Sequence, residues 1–161
     1  MAQTATSDGT PAEGQQAPDL EYVCQLDVAL GNAFSIGPTS KGNRMVIPIT
    51  GGTFSGPRMK GTILEGGADY QLQDLSAGRT ELEAIYCIRT DDGINIHVRN
   101  TGLIAAGRDA NGQPQFYFRA APRFEAPMDS PYAWLNNALF VCAPTPNAPG
   151  AGISLRVWMV K

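Results

Sequence analysis

The chain has 161 residues and a formal net charge of −3, and only 17 % of its residues are charged. A slightly acidic chain offers no basic surface for nucleic acid or anionic lipid. None of its apolar runs approaches the roughly 20 residues of a transmembrane helix. We therefore expect a single domain whose partners include neither nucleic acid nor membrane. The 18 glycines and 12 prolines favour many short elements joined by tight turns.

Residues 1–18 are predicted to be a flexible tail, and residues 19–161 to be one β-barrel domain. The tail is polar, contains Pro and Gly, and shows no hydrophobic period. Ala2 and Gln3, followed by Thr, Ser, Gly and Pro, resemble the start of an exported protein after removal of its signal peptide, with Met1 added for expression. This pattern favours a periplasmic or secreted location, and a cytoplasmic one is the alternative.

The first strands are predicted from short apolar patterns bounded by turn residues. Leu20–Leu30 carries Val, Leu and Tyr at short spacing. Residues 37–42 have turn chemistry throughout. Residues 44–50 form a second strand, in which Pro48 indicates an edge or a bulge. Between residues 51 and 67 the glycines recur every five or six residues, which excludes a helix and suits short strands that bend at a barrel corner.

Two hairpins follow in the second half of the chain. Residues 82–90 and 94–100 flank Asp-Asp-Gly, and apolar and polar residues alternate along the second strand. Residues 103–106 and 115–120 flank a longer turn with Asn-Gly at its tip. The hairpin prediction places the first two of these strands side by side and antiparallel, joined at Asp92 and Gly93.

The last two strands are predicted at residues 135–143 and Ile153–Val160, joined by a Pro-rich loop. About eight short strands without a convincing helix predict an all-β domain, either a closed barrel or a sandwich. The density of glycine favours the barrel. We therefore expect an antiparallel β-barrel of about eight strands with a polar-lined interior or mouth.

Several stretches, taken together and in this order, resemble the family DUF3237, also called UPF0311. These stretches are residues 42–71, 81–102, 116–127 and 132–137. The most specific part is 51–69, where a paired Gly, a Gly-Pro and a Gly-Gly-Ala-Asp occur at fixed spacing. The resemblance extends over residues 20–161 and implies a calycin-like or allene-oxide-cyclase-like barrel. Some members of the family lie among natural-product pathway genes, which implies a cyclase or isomerase role.

Four charged residues are predicted to be catalytic and to meet around one cavity: Arg44, Asp69, Glu83 and Arg119. Asp69 follows two glycines, and its carboxylate can act as a general base. Glu83 has apolar neighbours, and facing the interior would raise its pKa. The arginines can hold a carboxylate, phenolate or enolate oxygen. The structural alternatives are a turn cap or an internal salt bridge for Asp69, solvent exposure for Glu83 and ion pairs for the arginines.

A second group of side chains is predicted to bind the ligand in the same cavity: Tyr86, Tyr117, Arg123, Tyr132, Trp134 and Asn136. The aromatic residues combine an apolar body with a polar handle, and the amide of Asn136 can orient a carbonyl. The alternatives are core packing for the aromatic rings, an ion pair for Arg123 and a turn cap for Asn136. The sequence departs from the family pattern at Ile85, where an arginine is expected, so that a cationic partner for Glu83 is missing.

The cysteine and histidine content argues against a structural metal site. Cys24, Cys87 and Cys142 lie far apart, and His97 is the single imidazole. Three cysteines allow at most one disulfide, and burial within strands is the favoured interpretation. His97 falls on the polar face of its strand, so we expect it to be exposed. The sequence contains no glycine-rich phosphate-binding motif, and no cofactor is expected.

We expect a cofactor-independent isomerase or cyclase that uses acid–base residues on a small aromatic or polyketide-like substrate in the barrel cavity. Positioning and proton transfer suffice for such reactions. A non-catalytic carrier of a small hydrophobic molecule is the first alternative, since other barrels of this size bind such ligands. An oligomerisation module is the second. The expected partner is a small molecule, and a homo-oligomer is compatible with the sequence.

Overall fold

The structure is a computed structural model that describes residues 9–10 and 16–161. Most of the predicted tail, residues 1–8 and 11–15, lies outside the described residues. The described part contains ten strands: β1 Leu20–Leu30, β2 Phe34–Thr39, β3 Gly42–Ser55, β4 Lys60–Ile63, β5 Gly67–Asp74, β6 Arg79–Thr90, β7 Asn95–Arg108, β8 Pro114–Glu125, β9 Leu139–Pro146 and β10 Ile153–Val160. A 3₁₀ turn, Ala133–Asn137, lies between β8 and β9.

The strands close into an antiparallel barrel with eight positions around its wall. The wall runs from β1 through β10, β9, β8, β7 and β6 to β3, which pairs back with β1. β4 and β5 share the position between β6 and β3, because β4 pairs with the second half of β3 and β5 with its first half. β2 pairs with residues 42–46 of β3. The predicted fold class is confirmed.

Glycines explain why the part of the wall around β3 can bend. Gly51 and Gly52 have φ angles of 141° and 131°, a region that favours glycine, and they lie where β3 passes from β5 to β4. Gly61 serves a different purpose, since a Cβ there would lie 2.0 Å from the carbonyl oxygen of Arg89 on the next strand. The glycine spacing seen in the sequence thus reflects a bent strand and a close backbone approach.

The predicted hairpin at Asp92 and Gly93 is confirmed. β6 and β7 pair from Arg89 opposite Asn95 outward, and Gly93 has a φ of 88° in the turn. β7 and β8 form the second hairpin. The structure differs in one respect: the predicted strands 94–100 and 103–106 are one strand, because residues 101 and 102 continue both ladders.

The prediction of a strand over residues 135–143 is wrong at its start. Ala133–Asn137 forms the 3₁₀ turn, and β9 begins only at Leu139. The side chain of Asn136 donates to the carbonyl oxygen of Ala126 and accepts from its backbone N–H, both at 2.9 Å. This pair of hydrogen bonds ties the turn to the end of β8. Asn136 thus has the capping role that was the alternative to ligand binding.

The barrel interior is divided into a packed end and an end that contains a cavity. At the packed end the 3₁₀ turn inserts Leu135, which is 1 % exposed, against residues such as Ile96 and Phe140. At the other end small residues face inward, among them Ala84, Gly102 and Ala120. Within the described residues no helix is long and apolar enough to span a membrane.

Replacing Gly61 by alanine should destabilise the barrel by about 1–3 kcal/mol or more, because the new Cβ would overlap the backbone of β6. Gly107→Ala is the matched control, since Gly107 also lies in a strand and a Cβ there would meet nothing within 4 Å. Its free energy of unfolding should change by less than about 1 kcal/mol. Urea unfolding of both variants checks this, and equal midpoints would contradict the close approach.

Candidate functional site

A cavity of about 260 Å³ lies inside the barrel at the end away from the 3₁₀ turn. Its lining is mostly aliphatic and aromatic, and the polar side chains among the lining residues are Asp69, Gln71, Tyr86 and Asn100. At about 30 Å³ per molecule this is the volume of roughly nine waters, slightly below the range of about 300–1,000 Å³ that is common for ligand pockets. The cavity therefore suits a small ring compound.

Asp69 contributes the carboxyl group of the cavity. Its Oδ1 accepts a hydrogen bond from the backbone N–H of Glu83 at 3.2 Å, and its Oδ2 accepts one from Gln71 Nε2 at 2.9 Å. Burial raises the pKa of Asp69 above its ordinary value, while the hydrogen bonds from Gln71 and Glu83 act in the opposite direction. A buried carboxyl group with a raised pKa is suited to proton transfer.

A chain of amide side chains holds Asp69 from one side. Gln73 Nε2 donates to Gln71 Oε1 at 3.4 Å, and Asn43 Nδ2 donates to Gln73 Oε1 at 2.9 Å. The four residues share one face of β3 and β5, because Asn43 lies opposite Gln73 in the ladder and the others are two residues apart. Each amino group in the chain points towards Asp69, so the chain presents a donor to the carboxylate.

Asn100 lies in the same row of the wall as Asp69. Asp69 is opposite Ala84, and Ala84 is opposite Asn100, so the two polar residues are separated by two strand spacings, about 9.5 Å. Asn100 is 6 % exposed, and its Oδ1 has no hydrogen-bond partner within the described part of the chain. Burial raises the pKa of the Cys142 thiol to about 12, and an interaction with the Asn100 side chain acts in the opposite direction. Asn100 is not among the site residues predicted from the sequence.

Arg44, Glu83 and Arg119 lie together on the outside of the barrel. With Tyr117 they line a groove of about 680 Å³ that crosses the outer face of β5 to β9. Arg119 Nη1 donates to the backbone oxygen of Phe118 at 2.7 Å, and its guanidinium lies 5.8 Å from the centre of the Tyr117 ring. Arg44 Nη1 donates to the backbone oxygen of Tyr70 at 3.3 Å. Both arginines are therefore held by backbone oxygens.

The prediction that Arg44, Asp69, Glu83 and Arg119 surround one cavity is wrong. Asp69 faces the interior, and the other three line the outer groove. The reason is alternation along the strands: Ala84 and Ala120 point inward, so Glu83 and Arg119 point outward.

The ion pair of Glu83 shows the same orientation. Glu83 pairs with Arg99 on the outer face at 2.5 Å. Arg99 thus supplies a cationic partner that the residue at position 85 does not provide.

Tyr86 is the predicted ligand-binding residue that does line the interior cavity. It is 3 % exposed, and burial raises the pKa of its phenol above the ordinary value. Tyr117 lines the outer groove instead. Arg123 lies opposite Arg99 in the ladder of β7 and β8, on the outer face. For Tyr117 and Arg123 the expectation of a place in the cavity of Asp69 is wrong, because both occupy odd-numbered, outward positions of β8.

Tyr132 and Trp134 belong to the opposite end of the barrel. The hydroxyl of Tyr132 donates to Asp92 Oδ1 at 2.8 Å, and the guanidinium of Arg58 lies 3.6 Å from the centre of the Trp134 ring. Both rings pack against the buried core, so their predicted place in the cavity of Asp69 is also wrong. Their position follows from the 3₁₀ turn, which occupies residues predicted from the sequence to begin a strand.

His97 and the cysteines lie outside the polar set of the cavity. His97 Nδ1 is 3.3 Å from Glu125 Oε2, and the imidazole is 40 % exposed. All three cysteines are free thiols: Cys24 and Cys142 are buried, and Cys87 is exposed. Within the described residues no group of three His, Cys, Asp or Glu side chains is placed to hold a metal ion.

Residues 18–160 match the family model described as a protein of unknown function, DUF3237. The chain belongs to this family. It is 36 % identical over 135 residues to the UPF0311 protein RPA1785 of Rhodopseudomonas palustris, an alignment that covers 77 % of this chain and 87 % of that protein. A β-barrel-like protein of Acinetobacter baumannii is 31 % identical with a TM-score of 0.81, covering 93 % of this chain and all of that one.

Two similarities connect the chain with enzymes of the fungus Penicillium herquei. The hydroalkoxylation enzyme phnH is 31 % identical over 88 residues, which are 54 % of this chain and 57 % of the enzyme. The crystal structure of an enzyme from the same fungus is 25 % identical with a TM-score of 0.70, covering 93 % of this chain and 99 % of that one. A distant relative of this chain is therefore an enzyme.

The raised pKa of Asp69 predicts a specific pH dependence of stability. The folded state binds the proton of Asp69 more tightly than the unfolded state does, so this group's contribution to the free energy of unfolding falls as pH rises and levels off above the raised pKa. Relative to wild type, Asp69→Asn should therefore gain stability from acidic to neutral pH.

Asp74→Asn is the control with the opposite sign. Hydrogen bonds from Ser76 and Ala77 lower the pKa of the Asp74 carboxyl, so wild type should gain stability over this variant as pH rises. Urea unfolding across the pH range from acidic to neutral measures both differences. Parallel profiles for Asp69→Asn and wild type would contradict the raised pKa.

In the native protein Cys87 should react with a water-soluble maleimide much faster than the other two cysteines. Burial raises the pKa of Cys24 and Cys142 to about 12, and the thiolate is the reactive form. Mass spectrometry should count one label under native conditions, none in Cys87→Ser, and three in wild type after denaturation without reductant. A single label after denaturation would reveal a disulfide, which the structure does not contain.

Proposed function

We propose that the interior cavity is the active site of a cofactor-independent isomerase or cyclase, in which Asp69 transfers the proton. The observation that carries the proposal is a buried carboxyl group with a raised pKa, fixed by two hydrogen bonds at the wall of a mostly apolar cavity. The similarity to a hydroalkoxylation enzyme supports the reaction class. The substrate is a small aromatic or polyketide-like compound.

The proposed reaction adds a substrate hydroxyl across a carbon–carbon double bond of the same molecule. Ionised Asp69 takes the hydroxyl proton while the oxygen forms a bond to one alkene carbon. The protonated carboxyl group then returns this proton to the carbon that received the electron pair. The product is a cyclic ether and an isomer of the substrate, so the step needs neither oxidant nor reductant and regenerates the carboxylate.

The environment of Asp69 supports both halves of this cycle. The donors Gln71 and Glu83 N–H stabilise the ionised form that accepts the proton, and burial favours the neutral form that returns it. A general acid–base group works best when its pKa is close to the operating pH. The apolar side chains that line the cavity, among them Leu82 and Phe118, would contact a ring and offer no hydrogen bonds to water.

Asp69→Asn should lower turnover about 10²- to 10⁴-fold, the usual contribution of a positioned acid or base. A suitable probe is 1-(2-hydroxyphenyl)but-2-en-1-one, whose phenol adds to its own double bond and gives 2-methylchroman-4-one. The product has a stereocentre, so catalysis in the cavity gives an excess of one enantiomer over the racemic background. Chiral chromatography measures both rate and excess.

Glu83→Gln is the matched control, because its side chain lies on the outer face in the ion pair with Arg99. It should keep the rate and the enantiomeric excess of wild type. The asparagine at position 69 should be tolerated structurally, since all three amides of the chain can turn over and donate in the reverse direction. Racemic product at the buffer rate with wild type would contradict the enzyme, and binding of the probe without turnover would indicate a carrier.

A further inference from the structure

We infer that Asn100 selects ligands that carry a second hydroxyl group, which donates to Asn100 Oδ1 while the first hydroxyl faces Asp69. This inference deepens the proposed function and rests on it for the role of Asp69. It concerns binding, however, and can be tested without turnover. The ligand class is a small ring compound with two hydroxyl groups on the same ring.

The first observation is an acceptor without a donor. Asn100 Oδ1 is buried and has no hydrogen-bond partner in the described residues, although Asn100 lines the cavity. Buried polar atoms are nearly always paired, and an unpaired one is costly. Ile96 and Val98, the preceding inward residues of β7, are apolar, and the interaction of the Asn100 amide with Cys142 leaves Oδ1 unpaired. A ligand donor would satisfy this atom.

The second observation is the position of Asn100 relative to Asp69. The two residues lie in one row, with Ala84 between them. The small side chain of Ala84 leaves the space between the carboxylate and the amide open to the cavity. A ring that lies over Ala84 can therefore present one hydroxyl to each side, whereas a larger residue at position 84 would occupy this space.

The chemistry of the wall restricts the donor to a neutral group. Transferring an ammonium group into a mostly apolar cavity carries a large desolvation penalty, whereas a hydroxyl group carries a much smaller one. Asp69 already accepts two hydrogen bonds from the protein, so its carboxylate does not need a cation as a partner. A hydroxyl donates one hydrogen bond, which is what Oδ1 lacks.

A comparison of three ligands tests this inference: resorcinol with two hydroxyls, phenol with one, and 3-methoxyphenol, in which a methyl ether replaces the second donor. Ligand-observed NMR gives their dissociation constants for wild type and for Asn100→Leu. Wild type should bind resorcinol about tenfold more tightly than the other two, the worth of one buried hydrogen bond. In Asn100→Leu, resorcinol should bind only as tightly as phenol, and the affinities of phenol and 3-methoxyphenol should change less than about twofold.

Two further measurements separate ligand recognition from a structural role. Asn100→Leu removes the unpaired acceptor and also the interaction of the amide with Cys142, so Cys142→Ala, which removes only that interaction, is the matched control. Cys142→Ala should keep the preference for resorcinol; loss of the preference in this variant too would show that the amide is structural and overturn the inference. Ala84→Leu should weaken the binding of all three ligands, since its side chain fills the space over the row.

The outcomes also distinguish this inference from the proposed function. An unchanged preference for resorcinol in Asn100→Leu overturns the inference, and so does a failure of wild type to bind resorcinol at low-millimolar concentration. A preference that depends on Asn100, together with no turnover of the butenone probe, supports the inference and contradicts the enzyme. Turnover that depends on Asp69, without any preference for two hydroxyls, supports the enzyme and overturns the inference.

Discussion

Because the barrel is closed, only every second side chain of a strand reaches its interior, and this alternation decides which chemical groups can meet. Glu83 and Ala84 are neighbours in the chain, yet one side chain lies in the outer groove and the other in the cavity. The cavity exists because inward positions such as Ala84 and Ala120 carry small side chains. Because of the same alternation, Asp69 is the one residue among those that line the cavity that carries a carboxyl group.

The environment of Asp69 is a balance between opposing effects. Both carboxylate oxygens already face N–H donors, Gln71 Nε2 and the backbone of Glu83. The ionised form satisfies both donors, while burial disfavours its charge. Since the three amides donate in one direction towards the carboxylate, its ionised form and their orientation stabilise each other. The amide chain therefore limits how far burial can raise the pKa.

Much of the fold was predictable from local patterns. The bounds of Leu20–Leu30 and Ile153–Val160 agree with the structure, and the hairpin at Gly93 follows from turn chemistry and alternation. The 3₁₀ turn was not predictable in this way, because the contact of Asn136 with Ala126 is tertiary. For the site, the outward orientation of Glu83 could have been inferred from the apolar residues on either side of it. The row of Asp69 and Asn100 could not, since it depends on the register of three strands.

That dependence on register explains why membership in the family does not by itself fix a function. In a barrel of this kind the residues of one row face the same space, so the size of the residue in the middle of the row determines how much of that space is open. The similarity of this chain to uncharacterised barrels and to a hydroalkoxylation enzyme is thus compatible with different ligands. Under the proposed function, a relative with the same chemistry would carry a carboxyl group and an acceptor on either side of a small residue in the corresponding row.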